Sequence, residues 1–184
     1  QPTRVRERTP RTDGGDPAGD GRGNAIAASG VELTYADGTE AVKGIDLTVP
    51  EGEFFGFLGP NGAGKTTTIK MITGLLTPTK GRITVAGYDI AAEYLAAKAV
   101  ISYIPDQPFL YEKLTGREFL HFLGSMYDMA SEDVEERVDE LAALFECGDY
   151  LDDLAETYSH GMKQRVVVSG ALMHDPEVIL IDEP

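Results

Sequence analysis

The sequence has little cysteine, no long apolar run and few basic residues for its acidic content. Cys147 is the single cysteine among 184 residues, so no disulfide can form within the chain and a reducing compartment is expected. No stretch approaches the roughly 18 consecutive apolar residues that a membrane-spanning helix requires. These absences argue against a disulfide scaffold and against a membrane-spanning segment within these residues.

The shortage of basic residues bears on the partners of the chain. Lysine and arginine number 16 and aspartate and glutamate number 31, which gives a formal net charge of −15. Because attraction to phosphate backbones needs a basic face, we expect no nucleic-acid partner. Such an acidic surface is also typical of proteins from a high-salt cytoplasm, where screening tolerates self-repulsion, and we hold this as a hypothesis.

The length and composition predict one domain preceded by a tail. Residues 1–24 carry five arginines among proline, glycine and aspartate, with almost nothing apolar, so we expect a disordered tail there. Residues 25–184 are expected to form the domain. The chain starts with Gln1 and stops at Pro184 directly after an apolar run, so both ends are expected to be cuts in a longer protein.

Apolar patterns and turn residues predict a β-rich opening, a mononucleotide-binding unit and a helical insert. The insert is expected at about residues 107–158. The first helix of the insert begins with a capping box at Thr115 and Glu118, and a second helix starts near Ser131. A further helix is predicted from Ser159 towards His174. The predicted strands are residues 31–35, 45–49, 53–58, 82–85, 99–104 and 178–182, and a helix is predicted at 66–76.

A glycine-rich segment after the third predicted strand carries the clearest chemical signal. It fits the pattern of a glycine, four residues, and then Gly-Lys and Ser or Thr, whose backbone N–H groups surround phosphate oxygens at a helix start. Lys65 is expected to reach the β and γ phosphates and Thr66 to ligate Mg²⁺. The predicted phosphate-binding residues are Gly59, Pro60, Asn61, Gly62, Ala63, Gly64, Lys65, Thr66 and Thr67.

Two acids end an apolar strand 117 residues after Lys65. Asp182 is placed to hold Mg²⁺ through water, and Glu183 is placed to polarise a water molecule opposite the γ-phosphate. The sequence therefore predicts Lys65 and Glu183 as catalytic residues, and ATP with Mg²⁺ as ligands.

From about residue 29 to 184, these motifs and their order resemble the ATP-binding subunits of ABC transporters. The resemblance implies that Tyr35 stacks on adenine. It also implies that residues 158–162 correspond to the signature Leu-Ser-Gly-Gly-Gln, in which Ser159 and Gly161 bind the γ-phosphate of ATP held by a second subunit. Two subunits, identical or different, are then expected to face each other head to tail.

The sequence departs from the family pattern in three places. Tyr158, His160 and Met162 replace the Leu, Gly and Gln of the signature. The glutamine expected after the strand at 101–104 has an ambiguous counterpart, because counting back from the residues that follow puts Asp106 in its place and Gln107 lies one residue later. Either Asp106 or Gln107 is expected to meet Mg²⁺. The aspartate loop and the switch histidine of the family do not follow, so the chain alone is expected to be inactive.

The resemblance implies an α/β P-loop NTPase fold of ABC type, with a parallel core sheet, an antiparallel β subdomain and a helical insert. It implies ATP binding and hydrolysis that power export through a separate membrane permease subunit. The segments 65–75 and 78–81 look most like exporters of the ABC-2 type, and such subunits lie peripherally at the cytoplasmic face of the membrane. Two alternatives are a soluble ABC ATPase acting on ribosomes or DNA, and a nucleotide-binding module that does not hydrolyse.

Overall fold

The computed structural model describes residues 23–60, 62–107 and 109–182. The predicted tail at 1–24 lies almost entirely outside them. The strands are β1 (Asn24–Thr34), β2 (Glu40–Pro50), β3 (Lys80–Val85), β4 (Tyr88–Asp89), β5 (Ile101–Ile104) and β6 (Val178–Ile181). The α-helices are α1 (Lys65–Ile72), α2 (Tyr94–Ala99), α3 (Gly116–Met126), α4 (Ser131–Leu144) and α5 (His160–Leu172), and 3₁₀ turns lie at Gly148–Tyr150 and Ala155–Thr157.

The β-rich opening is an antiparallel sheet in the order β2-β1-β3-β4. A tight turn joins β1 to β2, in which a carboxylate oxygen of Asp37 accepts a hydrogen bond from the Thr39 N–H at 2.9 Å and Gly38 has a φ of 87°. Strand alternation places one apolar face inward, where Val31 and Val85 are fully buried. The turn therefore brings the start of β2 back beside the end of β1.

A second, parallel sheet pairs β5 with β6, in register from Ile101 opposite Val178 to Ile104 opposite Ile181. The N–H of Asp182 continues this ladder by donating to the Ile104 carbonyl at 3.0 Å. The carboxyl ends of both strands therefore meet at one edge, which is where parallel sheets place their ligands.

The helical part of the chain has its own apolar core between α3, α4 and α5. Leu120, Val138 and Val166, one from each helix, are fully buried there. The predicted capping box starts α3: the Thr115 hydroxyl accepts from the Glu118 N–H at 3.1 Å, and the Glu118 carboxylate accepts from the Thr115 N–H at 2.8 Å. These reciprocal bonds satisfy two N–H groups that a helix start leaves unpaired.

The strand predicted at 53–58 is wrong, because this segment forms no ladder with any strand in the described ranges. Phe54 and Leu58 are almost fully exposed, and Phe55 is half exposed. Apolar residues with strand alternation form a strand only where a neighbouring strand takes up their N–H and C=O groups. β6 pairs with β5 alone among the described strands, so this segment has no strand partner there.

Smaller differences lie at the ends of elements. The helix predicted at 66–76 ends at Ile72, because Gly74 adopts a left-handed φ of 70° and the N–H groups of Leu75 and Leu76 both donate to the Lys70 carbonyl. The strand predicted from residue 99 starts at Ile101, since the residues before it form α2. The short elements α2 and β4 were not predicted. No helix in the described part of the chain is both long and apolar enough to cross a membrane.

His174 joins the helical part to the parallel sheet. Its ring stacks on Tyr127 with centroids 3.7 Å apart and planes 4° from parallel, and its Nε2–H donates to the Ile101 carbonyl at 3.1 Å. The Nδ1 atom is buried without a hydrogen-bond partner. Burial lowers the pKa of His174, although the bond to Ile101 and the charge of Asp175 act in the opposite direction.

We expect this lowered pKa to make the fold sensitive to acid. Unfolding restores the ordinary histidine pKa of 6.5, so the contribution of neutral His174 is fully present above that pH. It is lost as the pH falls through the lower pKa of the folded state. Replacing His174 with Gln keeps an N–H donor and removes the titration.

Urea unfolding of both proteins at about pH 7.5 and about pH 5.5 measures the effect. We expect the wild-type protein to lose more unfolding free energy between these values than His174→Gln does. Equal losses would assign the acid sensitivity to other groups.

Candidate nucleotide-binding site

The glycine-rich loop turns sharply before α1 and packs against the antiparallel sheet. Gly62 and Gly64 have φ values of 81° and 84°, and the Ala63 N–H donates to the Pro60 carbonyl at 3.1 Å. A Cβ on Gly64 would lie 2.7 Å from the Ala41 carbonyl oxygen of β2. Glycine is therefore required at residue 64 both for its conformation and for the approach of two backbones. Asn61 lies outside the described residues.

Lys65 begins α1 and its side chain folds back over the loop. The ammonium Nζ donates to the carbonyls of Gly59 at 2.7 Å and Pro60 at 3.0 Å. α1 has no acidic residue in its first turn, so nothing there offsets the partial positive charge of the helix start. The loop thus combines an ammonium, a helix N-terminus and two glycines with left-handed backbone, which suits an anion.

Thr66 and Asp182 meet beneath this loop, although 116 residues separate them. The Thr66 hydroxyl donates to carboxylate Oδ1 of Asp182 at 3.3 Å. The Asp182 side chain is buried at the carboxyl end of β6, with 7% of its surface exposed. The structure therefore brings together two of the predicted Mg²⁺ ligands.

Tyr103 joins this pair and was missed by the sequence reasoning. Its hydroxyl donates to Oδ2 of Asp182 at 3.4 Å. Burial raises the pKa of Tyr103, and the charge of Asp182, its hydrogen bond and the charge of Asp106 act in the same direction. The hydroxyl therefore stays protonated and acts as a donor at neutral pH. An aromatic residue in a short apolar strand gives no signal of this role, since such residues usually serve packing.

A cavity of about 440 Å³ opens beside the loop. It lies between the loop and the start of β2, so the antiparallel sheet forms one of its walls. The wall residues were not among the predicted site residues, because only the folding of the β1–β2 turn brings them to the loop. The cavity is lined by Thr39, Glu40, Ala41, Gly62, Gly64, Lys65, Thr66 and Thr67.

Tyr35 and Thr67 also lie together. The Tyr35 hydroxyl is 3.4 Å from the Thr67 hydroxyl, and the Tyr35 side chain is 42% exposed. The Tyr35 hydroxyl thus lies beside the start of α1, and the residue is partly open to solvent. This is compatible with the predicted stacking on a base, which stays a prediction.

Ser159 and Gly161 begin α5 and are exposed. The Ser159 hydroxyl accepts a hydrogen bond from the Met162 N–H at 3.3 Å, so Ser159 is the predicted N-cap. Neither residue lines the cavity at the loop. Their predicted contact with a phosphate held by another subunit remains a prediction.

Asp106 and Gln107 follow β5 and are both exposed. The charge of Asp106 contributes to the raised pKa of Tyr103. Which of the two residues meets Mg²⁺ stays open. Glu183, the predicted water-polarising residue, lies outside the described residues.

The side chains at this site suit Mg²⁺ better than a metal ion whose ligands all come from protein side chains. No group of three or more His, Cys, Asp or Glu side chains suited to a metal occurs in residues 23–60, 62–107 and 109–182. Mg²⁺ is usually bound by one or two carboxylates together with waters and substrate phosphates. A buried carboxylate and a hydroxyl at the start of a phosphate-binding loop supply that donor set.

Comparison with known proteins agrees with the fold. The family model described as ABC transporter matches residues 42–184. The chain belongs to the ABC transporter ATP-binding family, with the P-loop ABC fold that the sequence predicted.

Named relatives are ATP-binding proteins of transporters. The chain is 42% identical over 159 residues to the linearmycin resistance ATP-binding protein LnrL of Bacillus subtilis, covering 86% of this chain and 51% of that protein. It is 40% identical over 160 residues to the daunorubicin/doxorubicin resistance ATP-binding protein DrrA of Streptomyces peucetius, covering 87% and 48%. The chain thus spans about half the length of these relatives.

A solved structure titled as an ATP-binding subunit of an ABC transporter superposes with a TM-score of 0.78 at 32% identity, covering 86% of this chain and 65% of that one. CbiO1 from Clostridium perfringens, part of the ABC transporter complex cbiONQ, gives the same TM-score at 26% identity, with 88% and 66% covered. The expected fold class is therefore confirmed.

The close approach at Gly64 generates a prediction on stability. Gly64→Ala should destabilise the fold by about 1–3 kcal/mol more than Gly62→Ala. Both glycines have left-handed backbone, so the conformational strain is shared. Only Gly64 would press a Cβ against the Ala41 carbonyl, since a Cβ on Gly62 meets no atom within 4 Å. Urea unfolding without nucleotide measures the difference, and equal losses in the two variants would contradict the role of the Ala41 contact.

Proposed function

We propose that this chain binds Mg-ATP through residues 59–67 and Asp182. We further propose that the full-length protein hydrolyses ATP to power export through a separate membrane permease subunit. The observation that carries the proposal is the 3.3 Å contact between the Thr66 hydroxyl and the Asp182 carboxylate. It joins the start of α1, which follows the phosphate-binding loop, to the buried Asp182 at the end of β6.

Lys65 and the loop amides supply the binding of phosphate. The Lys65 ammonium donates to two loop carbonyls, and it can exchange these neutral acceptors for phosphate oxygens. Hydrogen bonds to charged groups are stronger than those between neutral groups, so the exchange is favourable. In a chain with a net charge of −15, this local positive site is what permits an anion to approach.

Thr66 and Asp182 would hold Mg²⁺ between protein and phosphates. The metal supplies charge neutralisation at the β and γ phosphates. Thr66 offers a hydroxyl oxygen as a ligand, and the buried Asp182 carboxylate orients a ligand water or the metal itself. We propose Tyr35 for stacking on adenine and Glu183 for polarising the attacking water, because Glu183 follows Asp182 directly in the sequence.

A second subunit would complete the site. Ser159 and Gly161 are exposed at the start of α5, so their N–H groups and hydroxyl can reach a γ-phosphate that belongs to another subunit. The capping bond from Met162 to Ser159 is long, at 3.3 Å, and leaves the hydroxyl hydrogen free to donate. Two subunits, identical or different, would then meet head to tail with nucleotide between them.

Export is proposed from the names of relatives. LnrL and DrrA are named as resistance ATP-binding proteins, and this chain shares its order of motifs with their family. We propose the ABC-2 exporter type, a membrane permease as partner, and a peripheral position at the cytoplasmic face of the membrane. The permease would determine which substrate is exported, because residues 59–67 and Asp182 are proposed to bind nucleotide.

Lys65→Ala should remove most affinity for ATP and leave the fold intact. A lost hydrogen bond to a charged group costs about 1.5–3 kcal/mol, which corresponds to roughly a 10- to 100-fold weaker complex. Lys70→Ala is the matched control, because it removes the same charge from the last turn of the same helix. Titration with a fluorescent ATP analogue measures all three proteins. Equal affinity of Lys65→Ala and the wild-type protein would refute the assignment of this loop.

Glu183→Gln in the full-length protein should stop hydrolysis and retain ATP, since the amide keeps the shape but cannot accept a proton. Phosphate release and dimer mass with Mg-ATP are measured together, and we expect a dimer that persists. Glu136→Gln, on the exposed face of α4, removes the same charge and should behave as wild type. Hydrolysis by Glu183→Gln at the wild-type rate would place the base elsewhere. A wild-type protein that binds ATP and releases no phosphate would favour the non-hydrolysing module.

A further inference from the structure

Both carboxylate oxygens of Asp182 have a hydroxyl donor. Thr66 donates to Oδ1 at 3.3 Å and Tyr103 donates to Oδ2 at 3.4 Å. The two donors come from opposite sides of the site, one from α1 and one from β5. A carboxylate held at both oxygens cannot rotate about its terminal bond without losing a partner.

The backbone fixes Tyr103 relative to Asp182. Tyr103 pairs with Leu180 in the parallel ladder, and the Asp182 N–H donates to the Ile104 carbonyl at 3.0 Å. The ring of Tyr103 is partly buried, so its hydroxyl reaches Oδ2 from a rigid strand. Thr66 differs from Tyr103 in this respect, because the Thr66 hydroxyl oxygen is also proposed to ligate Mg²⁺.

These contacts give the two hydroxyls different tasks once a metal is bound. The Thr66 hydroxyl can give a lone pair to Mg²⁺ and still donate its hydrogen to Asp182, so it serves as ligand and donor together, whereas Tyr103 serves only as a donor that orients the Asp182 carboxylate. Partners that hydrogen-bond to a metal ligand set its orientation, and their removal typically weakens metal binding about 10- to 100-fold. Asp106 lies close enough for its charge to act on Tyr103, which links the segment after β5 to the same carboxylate.

We propose that Tyr103 is a positioning residue that holds Asp182 for Mg²⁺ and so sets the Mg²⁺ dependence of ATP binding. This inference rests on the proposed function, since it requires that the chain binds Mg-ATP. The hydroxyl of Tyr103 is bonded to Asp182. Its effect passes entirely through the Asp182 carboxylate.

Tyr103→Phe tests the inference in the full-length protein, because it removes the hydroxyl and keeps the ring. Binding of a fluorescent ATP analogue is measured with EDTA and over a titration of free Mg²⁺. We expect the Mg²⁺ midpoint to rise about tenfold, with the affinity in EDTA unchanged. Tyr88→Phe is the matched control, since Tyr88 is also a partly buried strand tyrosine but lies in β4 of the other sheet. Its midpoint should equal that of the wild type.

A double-mutant cycle separates positioning from packing. In an Asp182→Ala background, Tyr103→Phe should change the Mg²⁺ midpoint no further. Asp182→Asn replaces Asp182→Ala if the latter fails to fold by circular dichroism.

The possible failures are distinguishable. A wild-type protein that binds no ATP overturns the proposed function and this inference together. A wild-type protein with Mg²⁺-dependent binding and an unchanged midpoint in Tyr103→Phe overturns this inference alone. The same holds if Tyr103→Phe weakens binding equally in EDTA and in Mg²⁺, because that result indicates a packing role.

Discussion

The hydrogen bond between the Thr66 hydroxyl and the Asp182 carboxylate joins parts of the chain that share no β-ladder. Thr66 lies in the first turn of α1, directly after the loop that packs on the antiparallel sheet, and Asp182 directly follows β6 of the parallel sheet. A buried carboxylate is costly unless its oxygens are bonded, so Asp182 needs the hydroxyls of Thr66 and Tyr103. The same hydrogen bonds therefore shape the site and hold the loop and α1 beside the parallel sheet.

Features that depend on a few neighbouring residues were predictable from the sequence. The loop at 59–66 needs only its glycines, its lysine and a following helix. The capping box at Thr115 and the N-cap at Ser159 are each set within four residues. The apolar spacing of α4 likewise predicts its buried residues Val134, Val138 and Leu141, because helix periodicity is a local property. The same spacing in α3 is only partly buried, since Phe122 and Met126 are exposed. In each of these cases the interacting atoms lie within about one helical turn of one another.

Features that depend on the folded arrangement were not predictable in this way. The role of Tyr103 rests on the register of β5 against β6, and the wall of the cavity rests on how the β1–β2 turn approaches the loop. The prediction of a strand at 53–58 failed for the same reason, because strand pairing depends on the folded arrangement. The apolar alternation of this segment is present in the sequence, but a strand also requires a neighbour, and the parallel sheet has only β5 and β6 in the described ranges.

Tyr158 shows how a departure from the family signature can belong to the helical core. Its ring is buried, and its hydroxyl accepts from the Gly116 N–H at 3.0 Å while it lies 2.8 Å from the Tyr150 carbonyl. The start of α3 leaves that N–H without a partner within the helix. A leucine at residue 158 could fill the space but could not accept this bond. The hydroxyl lies where a Cβ on Gly116 would come within 2.7 Å of it. Glycine at residue 116 therefore leaves room for the Tyr158 hydroxyl and for Leu151, and Tyr158 is buried in the helical core while the Ser159 that follows it is exposed.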